Sequence, residues 1–145
     1  MLASFPALAD VSGVAVVTDG DTIRIGEAKI RLFGIDAPEG KQSCERDGVS
    51  WLCGQESGAY LRKLIGSDSI ACAERSKDRY GRIVATCKFA DGRDIGAEMV
   101  SSGLALAYRR YGGKIYDAAE MEAKSAKRGL WAGEFIPPWE WRKGR

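Results

Sequence analysis

RLFGIDAPE, residues 31–39, is the stretch on which the reading of this chain turns. Leu32, Phe33 and Ile35 favour an extended strand, and Arg31 projects from that apolar run. Pro38 ends the strand, because it donates nothing to a ladder and pushes Ala37 toward extended backbone. Asp36 and Glu39 therefore stand at a strand-to-loop junction. Arg31 and Asp36 are five positions apart, which in a regular strand puts them on opposite faces. They can share one site only if the strand bends, and Gly34 is the residue between them that permits it. Taken alone, the stretch is equally readable as a solvated strand charge followed by a turn former.

Two further stretches change that balance. Asp19-Gly20-Asp21-Thr22 separates the apolar runs Val14–Val17 and Ile23–Ile25, and an Asp-Gly pair so placed is a strong hairpin signal. Asp19 reads as a plain turn residue, whereas Asp21 begins a strand next to the one carrying Asp36. Asp78-Arg79-Tyr80-Gly81-Arg82 reads as the turn of a second hairpin, with Arg82 opening the strand that runs to Phe89.

DGDT, RLFGIDAPE and DRYGR, in this order and spacing, resemble the active-site motifs of the staphylococcal nuclease (thermonuclease) family. The similarity runs from about Val14 to Trp131. Each motif is weak alone, and three in order are specific. The resemblance implies that Asp21, Asp36 and the carbonyl of Ala37 hold Ca²⁺, that Glu39 activates water, and that Arg31 and Arg82 hold the phosphate. It also implies cleavage of DNA and RNA to products ending in 3′-phosphate. Two departures stand out. Ala37 replaces a threonine of the founding enzyme, which keeps a carbonyl ligand and loses a hydroxyl. A cysteine-bearing loop, Gly40–Leu52, bears on which substrate sizes are accepted.

The residues themselves can support that chemistry. Asp21 and Asp36 offer hard oxygen ligands suited to Ca²⁺ or Mg²⁺. Arg31 and Arg82 are planar forks that match phosphate, and Glu39 is a candidate base. Arg79, Tyr80, Tyr108 and Tyr111 are candidate substrate contacts through charge and stacking, with Tyr80 the best placed inside a matched motif. The chain has no histidine, which excludes His-based triads and His-ligated zinc or iron. Competing readings are a non-catalytic nucleic-acid-binding module and a glycosidase built on Asp36 and Glu39. The five site side chains oppose the first, and the two arginines, better matched to a polyanion than a neutral sugar, oppose the second.

The 145 residues suit one domain, expected over 10–145. Net charge is +2 but uneven, −4 over residues 1–60 and +6 over 61–145, as suits a metal site beside a polyanion surface. Cys44, Cys53, Cys72 and Cys87 contain no CxxC pair, and Cys72 and Cys87 flank the Arg79-Tyr80 hairpin symmetrically. We expect the bridges Cys44–Cys53 and Cys72–Cys87, and hence an oxidising, secreted or periplasmic address. Ala7-Leu8-Ala9 fits a signal cleavage pattern, so residues 1–9 are expected to be a signal remnant or disordered leader outside the fold. No apolar run reaches membrane length, and a monomer is expected.

The expected strands are Val11–Val17, Thr22–Ile25, Lys29–Ile35, Ser69–Arg75 and Arg82–Phe89. Helices are expected over Cys53–Ser67, over Asp94–Ser102 with Asp94 as N-cap, and over about Lys114–Arg128. Trp131, Trp139 and Trp141 are expected to pin the tail to the body. The predicted class is α+β, mainly β: a five-stranded OB-fold barrel with three helices.

Overall fold

The computed structural model describes residues 10–144; the expected leader, residues 1–9, lies outside them. The chain forms β1 (Asp10–Val14), β2 (Val16–Asp19), β3 (Thr22–Ile25), β4 (Ala28–Leu32), β5 (Ile35–Asp36), β6 (Cys44–Arg46) and β7 (Val49–Trp51). α1 (Cys53–Ile65), β8 (Ser69–Lys77), β9 (Ile83–Lys88), α2 (Ile95–Ser101) and β10 (Leu106–Ala107) follow. α3 (Asp117–Ser125) and α4 (Pro138–Lys143) complete the described elements, with short 3₁₀ turns between β10 and α4.

The expected counts of five strands and three helices are corrected. The main sheet has six strands in the order β1-β8-β9-β4-β3-β2, two-stranded ribbons pair β10 with β5 and β6 with β7, and there are four α-helices among the described residues. The extra strand arises because Val11–Val17 is not one ladder. The chain leaves the ladder at Ala15 and changes partners there, with β1 pairing to β8 and β2 to β3. One residue thus joins the two edge strands, so the sheet curls around its core and β1 also approaches β3. β4 and β9 are parallel, and the other pairs in this sheet are antiparallel.

Alternation decides the faces. Ile23 and Ile25 of β3, Ile30 and Leu32 of β4, Ile70 and Cys72 of β8, and Ala85 and Cys87 of β9 point inward onto Leu61 and Ile65 of α1 and Ile95, Met99 and Val100 of α2. Burying each large aliphatic side chain contributes about 1.5–3 kcal/mol. Cys72 and Cys87 are direct cross-strand partners and are bridged. Asp94 caps α2 by accepting the Ala97 N–H at 3.2 Å.

The expected polar loop Gly40–Leu52 contains the β6–β7 hairpin. Its turn is Asp47-Gly48, both with positive φ (54° and 74°), the geometry of a two-residue hairpin turn. Cys44 at its start is bridged to Cys53 at the head of α1. A second, smaller core gathers Cys44, Trp51, Cys53, Leu106 and Leu130, with Trp131, Phe135 and Trp139 packed against it. The third helix is shorter than expected, with a 3₁₀ turn over Gly113–Tyr116 preceding α3. No described helix is long and apolar enough to cross a membrane.

Candidate active site

The chain turns at Gly34, whose φ of +75° leaves the strand path between β4 and β5. Arg31 and Asp36 consequently meet despite their odd spacing, Arg31 Nη2 donating to Asp36 Oδ1 at 3.3 Å. Arg31 Nη1 lies 3.0 Å from Asp21 Oδ2, as an ion pair without hydrogen-bond alignment. Arg31 therefore ties the β2–β3 turn to β5. That turn sits close to α1, because a Cβ on Gly20 would run into Ser57.

Asp21 is further held by the Ala37 N–H on Oδ2 at 2.8 Å and the Thr22 hydroxyl on Oδ1 at 2.9 Å. Burial penalises its charge, but Arg31 and these donors hold its carboxyl below the usual range. Asp19, read from sequence as a plain turn, accepts the Asp21 N–H at 3.2 Å. Burial, reinforced by the Asp21 carboxylate, pushes Asp19 up to about 7. Asp36 is fully buried, and burial raises it to about 6 against the pull of Arg142 and Arg31.

Arg142, absent from the residues singled out in the sequence, reaches this cluster from α4. Its Nη1 and Nη2 donate to Asp36 Oδ1 and Oδ2 at 3.0 and 2.9 Å, and Nη1 also donates to Glu39 Oε1 at 2.8 Å. Nothing in its local pattern marks it; the one signal was the tryptophans that seat its segment.

On the far wall, Arg82 Nε donates to Asp78 Oδ2 at 2.6 Å, and Asp78 Oδ1 accepts the N–H groups of Tyr80 and Arg82, each at 2.9 Å. This turn presents Arg82 with its terminal nitrogens left for another acceptor. Arg79 and Arg82 lie over the Tyr80 ring, which is 69% exposed.

Asp19, Asp21, Arg31, Glu39, Arg79, Tyr80, Arg82, Tyr108, Tyr111 and Arg142 all line one cleft of about 880 Å³, with Asp36 and Ala37 buried beside it. The proposed substrate contacts are unequal. Tyr108 gives a ring face to Trp139, stacked at 5.1 Å between centroids, which leaves Tyr80 and Tyr111 as the exposed rings.

The donor set suits a hard cation. Asp21, Asp36 and Glu39 offer oxygen only, and a cationic group, the Arg142 guanidinium, is already held between Asp36 and Glu39. No three acidic or cysteine side chains among the described residues form a ready-made metal cage. A cation here would therefore draw on backbone carbonyl and water oxygens besides Asp21 and Asp36.

A family model described as staphylococcal nuclease homologue matches residues 29–133. The chain belongs to that family. As a staphylococcal nuclease homologue it is 36% identical over 126 residues to the succinoglycan biosynthesis protein ExoI of Rhizobium meliloti, spanning 86% of this chain and 66% of that protein. It is 36% identical over 147 residues to an uncharacterized endonuclease of Escherichia coli, spanning 96% and 90% of the two chains. The micrococcal nuclease of Shigella flexneri is 34% identical over 161 residues, covering 99% and 87%. The family match includes Arg31, Asp36, Glu39 and Arg82, and begins after Asp21.

Proposed function

We propose that this chain is a Ca²⁺-dependent nuclease, secreted or periplasmic, that hydrolyses phosphodiester bonds of DNA and RNA to 3′-phosphate products. The observation that carries the reading is the convergence of Asp21, Arg31, Glu39 and Arg82 on one cleft, with Asp36 buried beside it and joined to Asp21 through Arg31. The E. coli and S. flexneri relatives are named as nucleases, which supports the reaction class. The two disulfides support the address.

Asp21, Asp36 and the Ala37 carbonyl would hold the divalent cation, which supplies a polarised phosphate oxygen and an acidified water. Glu39 takes the proton from the attacking water. Arg31, fixed by the two aspartates, orients the phosphate. Arg82, anchored through Nε to Asp78, offers its terminal nitrogens to charge growing on the phosphorane-like oxygens. The exposed rings of Tyr80 and Tyr111 stack on flanking bases, an interaction tolerant of sequence.

Digestion of plasmid DNA and of RNA with Ca²⁺, Mg²⁺ or EDTA tests this. Cleavage with Ca²⁺, lost in EDTA, is expected, and end-labelling should find 3′-phosphate. Full activity in EDTA refutes the metal role. No cleavage under any condition makes the chain a binding module.

A further inference from the structure

α4 has six residues, too few to be stable as an isolated helix. Tertiary contacts seat it. Glu134 and Glu45 exchange backbone hydrogen bonds at 3.0 and 2.9 Å, tying the preceding segment to the disulfide-braced β6–β7 hairpin. Buried Gln42 joins that segment to the site: its Nε2 donates to the Ile136 carbonyl at 2.7 Å and its Oε1 accepts the Glu39 N–H at 3.2 Å. Trp139 stacks on Tyr108. The result is Arg142 across both oxygens of Asp36 and on Glu39.

Those are the oxygens that a divalent cation and its water need. Asp36 already accepts from Arg31 Nη2 and from Arg142 Nη1 and Nη2, which fills three of its roughly four lone-pair sites, and like charges at contact repel, so a guanidinium and a divalent cation compete for them. Two arginines reach Asp36, and they differ. Arg31 has a side chain 16% exposed and also holds Asp21, whereas Arg142 is 37% exposed and rides on a one-and-a-half-turn helix at the cleft rim. Arg142 is the one that can leave.

We propose that Arg142 is a tethered cation that competes with the divalent metal for Asp36 and Glu39, so that metal binding and docking of α4 oppose each other. The proposal rests on reading Asp21 and Asp36 as the metal site. By linkage, whatever factor Arg142 takes from metal affinity, the metal takes from the docking of α4, and such couplings are typically about 5–150-fold. A purely structural Arg142 predicts the opposite sign: its loss would disorder Asp36 and weaken metal binding.

The test is calorimetric titration of CaCl₂ into the full chain as wild type, Arg142→Gln, Arg142→Lys and Asp36→Asn. Hydrogen exchange at the Glu140, Trp141 and Gly144 amides, which close α4, is followed with and without Ca²⁺. Arg142→Gln is expected to bind Ca²⁺ roughly tenfold tighter. Arg142→Lys, which keeps a charge but loses the bidentate fork, is expected to fall between it and wild type. Ca²⁺ is expected to speed exchange in α4 of the wild type. Equal or weaker Ca²⁺ binding by both Arg142 variants overturns the competition, as does α4 exchange that Ca²⁺ leaves unchanged. If wild type binds and Asp36→Asn does not, the metal site stands whatever the Arg142 variants do. If neither wild type nor Arg142→Gln binds Ca²⁺, both readings fall.

Discussion

Glu39→Gln separates chemistry from architecture. Glu39 is fixed by its backbone N–H on Gln42 and by Oε1 accepting from Arg142 Nη1 at 2.8 Å. Glutamine keeps an oxygen of the same reach, so both contacts survive and only the basic charge is lost. The ion pair is partly solvated, with side-chain exposures of 37% and 31%, so weakening it costs at most about 1 kcal/mol. For a chain of this size that lowers Tm by about 2–4 °C. Losing a general base typically costs about 10²–10⁴ in turnover, equivalent to roughly 3–5 kcal/mol in the barrier. The catalytic loss thus exceeds the structural one several-fold, and the two are separable. Initial rates on a fluorogenic oligonucleotide at saturating Ca²⁺ should be measured beside melts and beside Ca²⁺-dependent binding of a nucleotide bisphosphate. We expect a melt and a binding constant near wild type with turnover down at least a hundredfold. Turnover within about threefold of wild type removes Glu39 from the mechanism, and a collapse of the melt reassigns it to structure.

Arg82→Lys retains charge but not the fork, so it cannot hold Asp78 and present two further donors at once; turnover should fall about 10–100-fold, on the scale of a charged hydrogen bond, with binding kinetics and melts as the check. Thiol titration of unfolded, unreduced protein should find no free cysteine. Replacing Cys72 and Cys87 together by serine should cost about 3 kcal/mol by the loop-entropy relation for a 15-residue separation, read by urea unfolding. Asp19 has a folded value of about 7, above its unfolded value near 3.8, so its contribution to stability is full below pH 4 and is lost as pH rises through 7. In EDTA, Asp19→Asn should therefore flatten a fall in Tm between about pH 4 and pH 7, and an unchanged pH slope refutes the assignment.

Local rules carried much of this protein. Asp94 caps α2, and Gly66 ends α1 with φ +55°. Cys72 and Cys87 flank the β8–β9 turn, and a one-residue register shift between Glu74 and Ser76 sets them directly opposite each other. Arg31, Asp36, Glu39 and Arg82 stood out through the resemblance of RLFGIDAPE and DRYGR to the family's motifs; their places at strand ends and turns alone read equally as solvated charges and turn formers. What sequence could not decide was partnership at a distance. The Asp47-Gly48 turn carries the same dipeptide signal as Asp19-Gly20, but its strands have three residues each and depend on the Cys44–Cys53 bridge and on Glu134. Ala15 has no breaking chemistry; the strand is interrupted there because its two halves pair with β8 and β3, which the curled sheet brings to opposite sides. Arg142 lies 106 positions from Asp36, on a helix that the hairpin, Gln42 and Tyr108 help to seat. The sequence by itself determined the strand and turn chemistry that creates a buried acid cluster. Only tertiary packing decided which cation meets that cluster, because a guanidinium's reach is set by where its helix docks and not by its neighbours in the chain.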